Sequence, residues 1–225
     1  NKWDGLEAKF GDPDLMALWV ADMDFKVPQC VIDACTEYAQ YGIYGYYKIP
    51  NGYYQNFIDW QKKYHDVEIK REWIRFSPGV VSPVNWYVKM KTEPGEAVLV
   101  QKPVYYPFLD AINNHGRKLV SSDLINTNGI YTVDYADFEK QIVDNNVKLF
   151  ILSSPHNPAG RVWKREELEQ LAAICEKHNL LVVSDEIHND LIVDGEHIVF
   201  ATLNEWTATH TITCTAPTKT FNLAS

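Results

Sequence analysis

Three side chains able to do chemistry end successive apolar runs: an amide at Asn157, a carboxylate at Asp185 and an amine at Lys219. They follow one another at intervals of 28 and 34 residues (157 to 185, then 185 to 219). Asn157 lies in Ser153-Ser154-Pro155-His156-Asn157-Pro158-Ala159-Gly160-Arg161, where a proline on either side of His156-Asn157 restricts the loop. Such a loop serves as a plain strand-to-helix turn, or as a rigid mount for an amide that donates to a ligand oxygen. The next run, Leu180 to Ser184, delivers Asp185, Glu186 and His188 together. Taken singly, Lys219 in Thr215-Ala216-Pro217-Thr218-Lys219 reads as a solvated tip. Taken together, the three supply a donor, an anion and a nucleophile at one sheet edge.

Other chemistries fit less well. An apolar strand ending in Asp-Glu suits a nucleotide-hydrolysing site, but no G-x-x-x-x-G-K-[ST] phosphate loop exists in the chain. Asp185, His188 and Asp190 form a thin ligand set for a metal, and none is expected. Cys30, Cys35, Cys175 and Cys214 contain no C-x-x-C pair and are expected to be free thiols, mostly in apolar surroundings. A net charge of -9 argues against a nucleic-acid or anionic-membrane partner, which would need clustered Lys and Arg. No apolar run approaches the roughly 20 residues that span a bilayer. The opening Asn1-Lys2-Trp3-Asp4 does not resemble a signal peptide, and with no N-x-[ST] sequon a cytoplasmic location is expected.

The elements that must position these residues alternate. Pro28 opens a helical stretch with Val31, Ile32, Cys35 and Tyr38 on one face and Gly42 as its stop. A second helix is expected from about Tyr53 to Tyr64, with Phe57, Trp60 and Tyr64 on one face. Short apolar runs at Ala97–Val100, Lys118–Val120, Leu149–Leu152, Leu180–Ser184 and Thr211–Thr215 read as buried strands. Lys164 to His178 is the clearest intervening helix, its stripe formed by Leu168, Leu171, Ala172 and Cys175. The pattern predicts an α/β fold with a mostly parallel sheet covered on both faces, whose ligands bind beyond the carboxyl ends of the strands.

The order of these segments resembles fold type I pyridoxal 5'-phosphate (PLP) enzymes of the class I/II aminotransferase superfamily, and within them the cystathionine β-lyase-like C-S lyase branch. The matching segments are Trp19 to Phe25 (W-V-A-D-M-D-F), Ser77 to Val81, Pro103 to Phe108, Ser154 to Gly160, Ser184 to Asp190 and Ala216 to Leu223. The resemblance implies a three-layer α/β/α, PLP-dependent transferase-like large domain over residues 46–225. Residues 1–45 would be an N-terminal segment associated with the small domain and the dimer interface. The chain has no initiator Met and stops six residues past Lys219, so it is expected to be a fragment lacking the C-terminal small domain, with the family's later arginines unassigned.

The resemblance also implies roles. Lys219 would attach the cofactor aldehyde and move protons. Asp185 would face the pyridine nitrogen, Asn157 the ring oxygen, with His188 near that oxygen or near Asp185. Tyr105 would stack on the ring, the amides of Val80 and Val81 would hold the phosphate, and Thr218 would add a hydroxyl. Tyr46 would reach the phosphate of a neighbouring subunit, implying a homodimer, or else act as a core aromatic in a Tyr-rich stretch. The activity implied is α,β-elimination of an amino-acid substrate, an L-cysteine conjugate such as cystathionine, to pyruvate, ammonia and a thiol. Transamination uses the same residues, and a catalytically silent PLP-binding module is the alternative of another class.

Overall fold

The computed structural model describes residues 2–224. In chain order its helices and strands are α1 (Leu6–Phe10), α2 (Gln29–Tyr41), α3 (Asn51–His65), α4 (Val81–Lys91), β1 (Ala97–Val100), α5 (Tyr106–Asn114), β2 (Lys118–Ser121), β3 (Ile125–Thr127), β4 (Ile130–Thr132), α6 (Tyr135–Asn145), β5 (Leu149–Ser153), α7 (Arg165–Lys177), β6 (Leu181–Asp185), α8 (Glu205–His210), β7 (Thr211–Cys214) and α9 (Pro217–Thr220). The chain divides into two compact units, residues 48–216 and residues 1–47 with 217–225.

In residues 48–216, β1, β5 and β6 are short apolar runs buried on both faces, as parallel strands between helices require. They form a five-stranded parallel sheet in the order β2-β1-β5-β6-β7. Side chains alternate across it. Ala97, Leu99, Phe150, Leu152 and Val182 pack with Phe138 and Ile142 of α6 and with Leu168, Leu171, Ala172 and Cys175 of α7. Val98, Val100, Leu149, Ile151 and Val183 pack on the other face with Val84 and Val88 of α4 and Phe108, Ala111 and Ile112 of α5. These are the three layers expected from the sequence. Each large aliphatic side chain removed from water in this way contributes about 1.5–3 kcal/mol.

The strand ends differ slightly from expectation. β6 runs one residue further, so Asp185 is its last residue, paired across the sheet with Ser153 of β5 and Cys214 of β7. The β3–β4 hairpin was not among the expected elements, although Asn128-Gly129, with φ of 53° and 88°, is the sequence signal for such a turn. Cys175 and Cys214 are buried while Cys30 and Cys35 are exposed, and all four are free. Burial pushes the Cys214 thiol up to about 12.

In the other unit, α2 ends at Gly42 with φ 70°, as its sequence predicts. Its apolar stripe, however, buries no residue, and Tyr38, Tyr41, Ile43, Tyr44, Tyr46 and Tyr47 are exposed. The Asn222 amide ties the chain's two ends together. Its Oδ1 accepts from the Met23 amide (3.1 Å), and its Nδ2 donates to the carbonyls of Met23 and Phe25 (both 3.2 Å). Two of the six family-like segments therefore meet through one side chain. Lys2 reaches the Asp22 carbonyl and the Asp24 carboxylate (both 2.9 Å), and the Trp3 indole donates to Asp24 (3.0 Å). The bonds from Lys2 and Trp3 hold the Asp24 carboxyl below its usual range. No helix among the described residues is long and apolar enough to cross a membrane.

Candidate active site at the carboxyl edge of the sheet

Beyond β5 the chain turns sharply and is pinned by short-range bonds. The Asn157 amide N–H donates to Ser153 Oγ (3.0 Å), the Trp163 indole donates to the Ser153 carbonyl (3.0 Å), and the Ser154 N–H donates to the Asp185 carbonyl (2.9 Å). A bridge between His156 and Arg161 closes the loop. Asn157 is thus carried, half-buried, on a turn fixed to the end of β5 and to the neighbouring end of β6. His156 itself points inward. Its Nε2 donates to the Gln101 carbonyl (3.2 Å), and burial lowers its pKa to about 4, so the ring is neutral at ordinary pH.

Asp185 is 6% exposed, and its Oδ1 accepts from the Ile187 N–H (3.1 Å). Alternation along β6 turns it toward the α4–α5 layer, the side on which Val183, Tyr105, Val80 and Ile187 cluster. The Tyr105 phenol is raised above its usual range, first by burial and then by the charges of Tyr106 and Asp185. Tyr105 and Asp185 are therefore electrostatic neighbours. His188 is half-buried on the turn that follows, its carbonyl accepting from the Leu191 N–H (2.9 Å).

Val80 is the N-cap of α4 and Val81 its first residue, preceded by Gly79 at φ 76°, a backbone conformation that favours glycine. No side chain caps this end. An 11-residue helix that begins on an apolar N-cap keeps its first N–H groups available, which suits an anion. Helix α4 packs against β5 and β6.

The remaining expected residues belong to the other unit. Lys219 and Thr218 lie half-buried on α9, whose Pro217 carbonyl accepts from the Phe221 N–H (3.0 Å), while the Thr218 carbonyl accepts from the Leu223 N–H (2.8 Å). Tyr46 is fully exposed. The core-aromatic alternative for Tyr46 is thereby not what this chain adopts.

The sequence brings out Glu186 and Asp190 but not the polar partners that gather around them in the fold. Glu186, 0% exposed, accepts from Ser184 Oγ (2.8 Å), from the Phe200 N–H (3.1 Å) and from His197 Nε2 (2.8 Å). Asp190, once weighed as a metal ligand, accepts from His65 Nε2 (2.8 Å) and the Trp60 indole (3.0 Å). Among the described residues, no three His, Cys, Asp or Glu side chains gather as a metal site. His65 lies 125 residues before its partner, so no local spacing could have flagged it.

The family model described as aminotransferase class I and II matches residues 13–225. The cystathionine β-lyase PatB of Bacillus subtilis is 42% identical over 224 residues, covering 99% of this chain and 58% of that protein. Cystalysin from Treponema denticola, solved with PLP, superposes with a TM-score of 0.93 at 41% identity, covering 99% of this chain and 57% of that one. A PLP-bound protein of Clostridium difficile 630, provisionally assigned as an aminotransferase, gives 0.94 at 44% identity, covering 99% and 58%. The chain thus spans somewhat over half the length of these relatives. A match that runs through every segment carrying Asn157, Asp185 and Lys219 places the chain in the aminotransferase class I and II family.

Proposed function

We propose that this chain is the PLP-binding part of a C-S lyase that performs α,β-elimination on L-cysteine conjugates such as cystathionine. The observation that carries the reading is Asp185, a carboxylate kept almost wholly from water at the carboxyl end of a central strand, with the Tyr105 phenol beside it. A carboxylate in that place can keep a pyridine nitrogen protonated, and the uncapped start of α4 fits a phosphate. The donor set present therefore suits PLP.

When bound, PLP supplies an aldehyde that captures amines and a ring that draws in electrons from the substrate Cα. Lys219 would hold the cofactor through its ε-amine and would serve as the general base for the substrate Cα proton. Asp185 would keep the proton on the ring nitrogen. Asn157 would donate to the ring oxygen, with His188 close by. Tyr105 would stack on the ring, a contact worth about 1 kcal/mol beyond burial. The backbone amides of Val80 and Val81 would bind the phosphate, and Thr218 would add its hydroxyl. In the net reaction, the cysteine conjugate and one water would give a thiol, which carries off the proton lost from Cα, together with pyruvate and ammonia. The exposed Tyr46 and its aromatic neighbours on residues 38–47 fit a homodimer in which Tyr46 serves the partner's phosphate site. The acidic chain, with no spanning helix among its described residues, fits a cytoplasmic enzyme.

Similarity to PatB, a cystathionine β-lyase, supports elimination over transamination, and similarity to the Clostridium difficile protein keeps transamination as the second reading. The whole protein, incubated with PLP and cystathionine, is expected to release pyruvate without any added oxo acid. Strict dependence on an oxo acid would replace elimination with transamination. Cofactor binding with neither product would leave a silent module.

A further inference from the structure

Glu186 follows Asp185 directly but serves the opposite face of the sheet, where Ser184 and Phe200 meet it. A fully buried carboxylate is costly unless its oxygens are satisfied, and this one takes three donors from two segments of chain. Its backbone N–H also donates to the Cys214 carbonyl (2.8 Å), extending the β6–β7 pairing past Asp185. The His197 ring that binds Glu186 packs edge-on against His65, with centroids 5.7 Å apart, and His65 in turn holds Asp190. The turn bearing Asp185 and His188 is therefore tethered at both ends, at Glu186 and at Asp190.

We propose that Glu186 is a positioning residue: bound by Ser184, His197 and the Phe200 amide, and aided by the His65–Asp190 contact, it fixes the turn that presents Asp185 and His188 to the cofactor. This rests on the reading of Asp185 as the cofactor-facing carboxylate.

The test compares Glu186→Ala in the PLP-loaded protein with Phe138→Ala, a core truncation on α6 that damages the fold away from the turn. Both lower the thermal midpoint. Only Glu186→Ala is expected to weaken PLP binding, by about tenfold or more, because three buried donors lose their acceptor. It should also change the visible circular dichroism of bound PLP, which reports the cofactor's orientation. Glu186→Gln keeps an acceptor oxygen for Ser184 and Phe200 and should restore affinity to within about threefold. Should Glu186→Ala fail to fold, His197→Ala and His65→Ala each cut one tether and are expected to move both readouts in the same direction. PLP affinity and dichroism equal to those of Phe138→Ala would overturn the positioning role. Weak binding by Asp185→Ala alongside normal binding by Glu186→Ala sinks this inference alone, whereas normal binding by Asp185→Ala sinks the cofactor-facing reading of Asp185.

Discussion

The middle of the parallel sheet and its carboxyl edge are built on opposite terms. In the middle, Val98, Leu99, Phe150, Ile151, Val182 and Val183 are wholly apolar, and each side chain needs only neighbours of the right shape. A few residues further along the same strands, Gln101, Ser153, His156, Asp185 and Glu186 are polar and just as buried. The middle earns stability from area removed from water. The edge gives some of that stability up to hold polar groups in fixed places, the arrangement expected where a ligand must be met.

Mutations should separate the two regions by kind of damage. The largest effect is expected at the lysine: Lys219→Ala should lower pyruvate release about 1,000-fold or more, since it removes both the attachment point and the base, while leaving the unfolding midpoint nearly unchanged. In the sheet's middle, Phe150→Ala should cost about 3–5 kcal/mol in urea unfolding, with PLP affinity of the folded fraction preserved. An equal loss of affinity there would erase the distinction.

The buried edge histidine gives a pH signature. His156 has a folded pKa of about 4, below the ordinary 6.5, so between these values the unfolded chain binds the proton and the folded one does not. Stability is complete above about pH 6.5 and falls as pH drops toward 4, by roughly 3 kcal/mol in total. His156→Gln should flatten that part of the stability profile in urea titrations between those two pH values. A smaller effect is expected at Asp185, the anion proposed to face the cofactor, where Asp185→Asn should weaken PLP binding by about 1.5–3 kcal/mol, through loss of a charged partner.

The same contrast decides what could be read from the chain. Alternating apolar runs such as Leu149–Leu152 and the stripe of α7 announce their structure locally, because periodicity is set by side chains a few residues apart. Asp185 and Asn157 stand out in the sequence because each follows such a run, and Lys219 because a known pattern of segments surrounds it; the structure adds where their elements lie. Glu186 was seen only as part of a motif. Its partners His197 and Ser184, and the His65–Asp190 pair, depend on contacts made after the chain has folded back on itself. The stripe of α2 shows the converse: an apolar pattern predicts a helix correctly without saying what, if anything, covers it.

The central claim is that Lys219 carries the cofactor. Reducing the PLP-treated protein with borohydride, digesting it and sequencing the modified peptide tests this directly. A single pyridoxyl group on the Lys219 side chain is the predicted result; modification of a different lysine, or no stable adduct at all, would contradict it.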